Sequence, residues 1–461
     1  MTVSDRDRGD PTPSYRALLH GGLAPLTVGL VMLILLDAFE LIGAATALPA
    51  ALDDLGNVGF YGWAIAAPLI ASLMGAPYGG RLADRFGVRR PMVLALALMA
   101  IGLLGASAAT SMVMLAAVRF VVGLGIGAMT TMMLVIVARR YPTGLRPRML
   151  TLVSAAFILP GLIGPAVAAA MAQTIGWRWV FGGILPLLVL TGLLILPALD
   201  GDAPSATTVT DAPAVRPSWW GPLALSGGLV AVVGGLGNGG LRLVPIGLVG
   251  LVLAVIGFRS TLPRGVLRPV RGPGAAVTGA LYMSLAYLTF EAFLPLVLNQ
   301  VRHQSLFRSG LPLTVAALAW TAGSWLQAHL AASHRPMLAV SGGLLTAAGL
   351  ALATSLLWDV SPYWIAYPAT GLGAFGMGLA FTIDQVVAVE WAEAGREGEA
   401  SANVNLANLL GGAAGTAMTA IALAWFDTDI RVAVAISLAV MIAAALAGAH
   451  AGRFLPDHDS A

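Results

Sequence analysis

Residues 80 to 90 read GRLADRFGVRR, a short polar segment between two long apolar runs. Its glycines permit tight turns and close helix approach, and its aspartate is flanked by arginines. Such a charged contact can hold two packed bodies together in one state and release them in another. A positively charged loop with no mechanical role is the alternative. We interpret the segment as a conformational latch formed by Gly80, Asp84, Arg85, Gly87 and Arg89.

The composition places the surface of the chain in lipid. Of the 461 residues, 58% are hydrophobic and only 10% are charged, and the mean hydropathy is +0.85. Soluble domains have about 25% charged residues. The many glycines and prolines fall inside the apolar runs, where neighbouring membrane helices satisfy the backbone. The lipid bilayer is therefore the first partner that we expect.

The residue types exclude several function classes. The chain has no cysteine, and its six histidines lack the spacing of a metal-binding helix, so we expect no metal site. All 25 basic residues are arginine, and without lysine there is neither a phosphate-binding loop of the usual type nor a Schiff base. The arginines are scattered and form no basic stripe. We expect no cofactor, no nucleic-acid partner and no enzymatic activity.

The apolar runs predict an all-α membrane protein with fourteen membrane-spanning helices. A span needs about 20 mostly apolar residues to cross a hydrocarbon layer of about 30 Å. The seventh and eighth runs, at residues 218–237 and 241–258, are the weakest because they are short and rich in glycine. They either cross fully or form a re-entrant pair, and the sequence leaves this open.

The arginines predict the orientation. With the amino terminus inside, 19 arginines fall in the tails and the even-numbered connections, five fall in the odd-numbered connections, and Arg119 lies within a span. Cytoplasmic loops retain positive charge. We therefore expect a multi-pass protein of the inner (plasma) membrane with both termini in the cytoplasm.

One polar segment, rich in proline, alanine and threonine, divides the chain at residues 200–217. It has no periodicity and is typical of a flexible linker. The predicted organisation is an N-terminal cytoplasmic tail (1–22), a six-helix bundle (23–199), the cytoplasmic linker (200–217), two extra membrane helices with their loop (218–271), a second six-helix bundle (272–453) and a C-terminal cytoplasmic tail (454–461). Two six-helix halves around a central cavity are the plan of transporters built from repeats.

The segment at 80–90 resembles the cytoplasmic loop signature of the major facilitator superfamily, G-x-L-a-D-r-x-G-r-r, with Val88 where an arginine is usual. Residues 40–49, ELIGAATALP, look like the D-x-T-I-V-x-T-A-L-P element of its fourteen-span drug:proton antiporters. The resemblance implies the major facilitator fold with two extra helices between the bundles, and transport by alternating access.

Further motifs follow in the same order as in that family. Residues 119–127 are similar to its R-x-x-x-G-x-G element, and residues 400–415 resemble its thirteenth span. The antiporter signature G-P-x-x-G-G is matched in part, because Ala168 and Ala169 replace the last glycines. The resemblance assigns this antiporter motif to Gly161, Gly164 and Pro165.

Ionisable residues inside the spans are candidates for proton coupling, since each costs about 2.5–3.5 kcal/mol to insert. Glu40 and Arg119 lie at matching depths, Glu40 at roughly 15 Å from the end of its span. A carboxyl group that is alternately paired with arginine and exposed to an apolar cavity can load and release a proton; a static ion pair that fixes helix packing is the alternative. The proton-coupling set that we predict is Asp37, Glu40, Arg119 and Glu291.

Two acids of the second half are open to other interpretations. Glu291 has no evident arginine partner, so it binds a proton or a cationic substrate or has a structural role only. Asp384 is interpreted as an interfacial charge, because Glu390 and Glu393 follow it.

Together these features predict a secondary active transporter that exports hydrophobic or amphiphilic small molecules against an inward flow of protons. Export of lipids or glycolipids, and a membrane scaffold or sensor that transports nothing, are the alternatives. We expect a monomer, although the residues leave the oligomeric state open.

Overall fold

The computed structural model describes residues 15–200, 219–237, 241–262, 272–330, 334–392 and 397–456. The predicted linker, apart from Asp200, and most of both predicted tails lie outside these residues. The described part of the chain is helical, in agreement with the all-α prediction.

Fourteen helical segments of 17 or more residues follow one another in the described residues. They are α1 (Leu23–Leu55), α2 (Val58–Phe86), α3 (Arg89–Ser107), α4 (Met112–Arg140), α5 (Thr143–Gly176), α6 (Arg178–Leu199), α7 (Gly221–Gly237), α8 (Val244–Thr261), α9 (Gly274–Val301), α10 (Leu306–His329), α11 (Arg335–Leu357), α12 (Tyr363–Glu390), α13 (Gly398–Trp425) and α14 (Ile430–Gly452).

Twelve of these segments are long and apolar enough to cross a membrane by length and composition. The other two are α7, which has 17 residues, and α10, which has 24 residues. The first is shorter than the about 20 residues of a typical span. The second is long enough but carries Arg308 and several polar side chains.

Tight turns connect successive helices at both ends of the bundle. Gly56 and Asn57 have φ of 65° and 68° and reverse the chain between α1 and α2, and Gly87 has φ of 76° between α2 and α3. Positive φ is costly for most residues and free for glycine. Ser111 caps α4 by accepting a hydrogen bond from the backbone N–H of Met114 at 3.2 Å.

The helices bury two apolar clusters. One is formed chiefly by α1–α6, called here the N half, and the other chiefly by α9–α14, called the C half. Helices α7 and α8 pack on each other through glycine, since a Cβ atom built on Gly235 would collide with the backbone nitrogen of Gly247. Small residues allow this approach in lipid.

The bundle has two ends, which differ in the connections that they carry. The arginine-rich end carries residues 87–88 and 141–142, and the opposite end carries residues 56–57, 302–305 and 426–429.

Candidate functional site

An ion pair lies inside the N half. Arg119 Nη1 of α4 is 3.0 Å from Glu40 Oε1 of α1, and the two side chains are 3% and 1% exposed. The matching depths predicted from the sequence therefore correspond to direct contact. Removing two charges from water costs several kcal/mol per ion, which a close pair offsets only when further polar contacts help. Those contacts come from α2 and α6.

A proline in α2 provides one of them. Pro68 has no backbone N–H, so the carbonyl of Ala64, four residues earlier, has no helical donor. Arg119 Nε donates to this carbonyl oxygen at 2.5 Å. The guanidinium also lies over the ring of Phe181, 5.6 Å from its centroid, a favourable cation–π arrangement. Arg119 thus joins α1, α2, α4 and α6.

Tyr61 links this site to the C half, a connection that the sequence motifs do not indicate. It is fully buried in α2, and its hydroxyl has no hydrogen-bond partner in the described residues. Its ring lies 6.1 Å from that of Phe293 on α9. Helix α2, whose Ala64 carbonyl accepts the hydrogen bond from Arg119, therefore also contacts the C half.

Asp37 lies on α1, three residues before Glu40. It is half-buried, without an ion-pair partner in the described residues. Leu41, one turn further on, is 45% exposed, whereas Ile34 and Ala45 are buried. Asp37 is therefore less deeply buried than Glu40, which is 2% exposed.

Glu291 is half-buried on α9, and the described residues offer it no arginine partner. Tyr287, one turn earlier, is fully buried and makes an edge contact with Trp320 of α10 at 6.0 Å. Trp320 in turn contacts Phe381 of α12 at 6.1 Å. The structure thus places Glu291 apart from the Glu40–Arg119 pair, next to an aromatic cluster of the C half.

The antiporter motif lies where the halves meet. A Cβ atom built on Gly161 of α5 would lie 2.6 Å from Cβ of Ala317 on α10. Pro165 and Gly164 follow on α5, and a Cβ atom built on Gly310 of α10 would lie 3.2 Å from Pro165 Cβ. Thr314 Oγ1 of α10 donates to a carbonyl oxygen of this segment, that of Leu162, at 3.1 Å. The small residues let α5 and α10 touch backbone to backbone.

Further contacts join the halves at the opposite end. Gln300 Nε2 of α9 donates to Asp53 Oδ1 of α1 at 2.9 Å. A Cβ atom built on Gly62 of α2 would collide with Cα of Ala420 on α13, a spacing that only glycine permits. From this end to the middle of the bundle, therefore, the two halves are packed together.

Arginines also tie each half internally at the opposite end. Arg178 Nη1 lies 2.7 Å from Asp54 Oδ2 in the N half, and Arg431 Nη2 lies 2.7 Å from Asp359 Oδ1 in the C half. The hydrogen bond from Arg431 lowers the pKa of the Asp359 carboxyl from its usual value. These pairs favour movement of each half as a unit.

The latch residues make their contacts within the N half. Asp84 Oδ1 is 3.1 Å from Arg139 Nη2 of α4, and its side chain is 73% exposed. Arg89 Nε is 2.7 Å from Asp200 Oδ1, and the Arg85 guanidinium lies over the Phe86 ring. Gly87 makes the turn, and Gly80 packs near Thr131 of α4. In this state Asp84 is paired inside its own half.

The interpretation of Asp384 as an interfacial charge is wrong. The residue is 2% exposed, because α12 turns it toward α9. There a Cβ atom built on Gly279 would lie 2.7 Å from Asp384 Oδ2. Glu390, six residues further on, is the interfacial acid, since it pairs with Arg335, the first residue of α11.

Among the described residues, no group of three or more potential metal ligands is found.

Comparison with known proteins gives a consistent family. The sequence model of the Major Facilitator Superfamily matches residues 30–416. A probable multidrug-efflux transporter of Mycobacterium tuberculosis (strain H37Rv) is 27% identical over 428 residues, which is 89% of each chain. Multidrug resistance protein 3 of Bacillus subtilis is 28% identical over 171 residues, covering 37% of this chain and 33% of that protein.

Solved structures show the same fold. The D-xylose–proton symporter superposes with a TM-score of 0.66 over 97% of this chain and 100% of that one, at 16% identity. A peptide transporter of the POT family in an auto-inhibited state gives a TM-score of 0.66 over 94% of this chain and 98% of that one, at 14% identity.

Proposed function

Since the chain belongs to the Major Facilitator Superfamily, we propose that it is a secondary active transporter that exports hydrophobic or amphiphilic small molecules in exchange for protons. The mycobacterial relative, named as a multidrug-efflux transporter, supports the substrate class. The proposal assigns Asp37, Glu40, Arg119 and Glu291 to proton and substrate coupling.

The observation that carries this proposal is the buried Glu40–Arg119 pair, 3.0 Å apart, with the half-buried Asp37 three residues before Glu40 on the same helix. Once a proton neutralises Glu40, the attraction to Arg119 is lost, and Arg119 keeps the Ala64 carbonyl and the Phe181 ring. Because α2 carries Ala64 and also packs on α13 at Gly62, protonation changes the forces on a helix at the boundary between the halves. This is the differential interaction that coupling requires.

The proposed orientation follows from the arginines, which mark the arginine-rich end as cytoplasmic. Both termini then lie inside, and the opposite end faces outward from the plasma membrane. Since the contacts between Gln300 and Asp53 and between Gly62 and Ala420 join the halves there, the state described is closed to the outside. In the complementary state, Asp84 exchanges its bond to Arg139 for a contact with the C half.

The fourteen-span branch is part of the proposal. At 1.5 Å per residue, the 17 residues of α7 extend about 26 Å, close to the hydrocarbon thickness of about 30 Å. Helix α10, with 24 residues, is long enough to cross, and two of its polar side chains are satisfied by neighbouring helices, Thr314 by α5 and Ser324 by α12. With these two, the arrangement is six, two and six spans in a monomer.

A disulfide lock tests alternating access. The chain has no cysteine of its own, and a Cβ atom built on Gly59 would lie 3.7 Å from Cβ of Ala424, near the mean of about 3.8 Å for disulfides. We expect oxidised Gly59→Cys/Ala424→Cys to stop accumulation of a lipophilic cation such as ethidium in everted vesicles with an acid lumen. A reducing agent should restore it.

The matched control joins two helices of one half at the same end. A Cβ atom built on Gly182 of α6 would lie 3.5 Å from Cβ of Ser107 on α3, so oxidised Gly182→Cys/Ser107→Cys should transport normally. Unimpaired accumulation by the oxidised Gly59–Ala424 pair would contradict alternating access. Accumulation that persists after the pH gradient is collapsed would contradict proton drive.

A further inference from the structure

Asp384 stands out among the acids of the C half. Its side chain is 2% exposed and points at the backbone of Gly279 on α9, where an added Cβ atom would lie 2.7 Å and 2.9 Å from its two carboxyl oxygens. Neighbouring residues on α12, Ile383 and Val387, are fully buried. The glycine provides the space that the carboxyl group occupies.

Within the described residues, no cation neutralises this group. The described residues place no arginine or histidine within ion-pair distance of Asp384. Helices α9, α10, α11 and α13 pack on α12, and the titratable side chains that they carry toward the same end are Tyr282, His329, His334, Arg335 and Glu399. Arg335 is engaged with Glu390, and His329 with the carbonyl of Trp325. An unpaired carboxylate is strongly disfavoured in such surroundings.

We propose that Asp384 is a further proton-binding site, located in the C half and separate from both the Glu40–Arg119 pair and Glu291. It lies six residues before Glu390, the end of α12, which is about 9 Å along the helix axis. A proton from the arginine-rich end therefore has about 9 Å to travel to reach it. The N half then holds a carboxyl group neutralised by arginine, and the C half holds one neutralised by a proton.

The inference rests on the proposed function only for the direction of transport, because protonation is measurable without transport. The test is infrared spectroscopy of the reconstituted protein during a pH titration. Wild type should show the carbonyl-stretch band of a neutral carboxylic acid that Asp384→Asn lacks. Glu390→Gln, which removes an interfacial acid from the same helix, should retain it. Identical bands in wild type and Asp384→Asn across the titration would overturn the proposal.

A second variant guards against misfolding of the first. Gly279→Ala places a methyl group against the carboxyl oxygens, and we expect it to shift the frequency of the Asp384 band without removing the band. An unmoved frequency would show that Asp384 does not bind its proton at Gly279. If the band behaves as expected but no pH gradient drives transport, the proposed function fails and this site stands. If a pH gradient drives transport but the band does not behave as expected, the proposed function stands and only this site is rejected.

Discussion

Glu40→Gln is expected to reduce proton-driven export to the level of vesicles without the protein. Glutamine has nearly the shape of glutamate, and its amide oxygen can occupy the position of Glu40 Oε1 beside Arg119, so the N half remains folded. The amide neither gains nor loses a proton near neutral pH, however, so the ion pair cannot be broken and remade by protonation. Accumulation of a lipophilic cation in everted vesicles with an acid lumen measures the loss.

Exchange of labelled for unlabelled substrate at equal concentrations separates coupling from structure. It needs the halves to move but requires no net proton flow, so Glu40→Gln should retain it. A static ion pair that only fixes helix packing predicts lower stability with uphill export preserved. Uphill export by Glu40→Gln at the wild-type rate would therefore contradict the assignment of Glu40 to proton coupling.

Arg119→Met is expected to destabilise the protein by about 3–5 kcal/mol, because it leaves Glu40 buried without its partner. The double variant Glu40→Gln/Arg119→Met removes both charges and should recover most of that loss. Thermal unfolding of the purified variants in one detergent gives the comparison. Independent, additive effects of the two substitutions would contradict a coupled pair.

An exposed ion pair provides the matched control. Arg431 and Asp359 lie 2.7 Å apart, but their side chains are 43% and 71% exposed. Solvent screens such a pair, and exposed pairs typically contribute less than about 1 kcal/mol. Arg431→Met should therefore shift the unfolding temperature much less than Arg119→Met. Equal shifts would show that burial is not what makes the Glu40–Arg119 contact strong.

Local sequence features predict the helices and one of the central contacts. Apolar runs of sufficient length mark most helices because a span must satisfy its own backbone in lipid. The contact between Glu40 and Arg119 follows from their equal depths, since two charges at one level of a bundle lower each other's cost by pairing. The glycines near residues 161–165 similarly indicate close packing, although not against which helix.

Features that depend on contacts between residues far apart in the sequence cannot be predicted from local sequence. The burial of Asp384 depends on Gly279 in another helix, and the acids that follow Asp384 favour an interfacial position instead. The role of Pro68 requires knowing that Arg119 reaches the Ala64 carbonyl. The latch at Asp84 is predicted to join the halves, yet a single structure holds one state, in which its partner is Arg139 of the same half.

Substrate-driven proton movement in reconstituted vesicles tests the central claim most directly. With a pH-sensitive dye in the lumen, lipophilic cations and lipids are added in turn to vesicles that contain the protein. We expect a transported compound to move protons in the opposite direction in wild type and not in Glu40→Gln. A compound that is transported by wild type with no change of lumenal pH would contradict proton-coupled export.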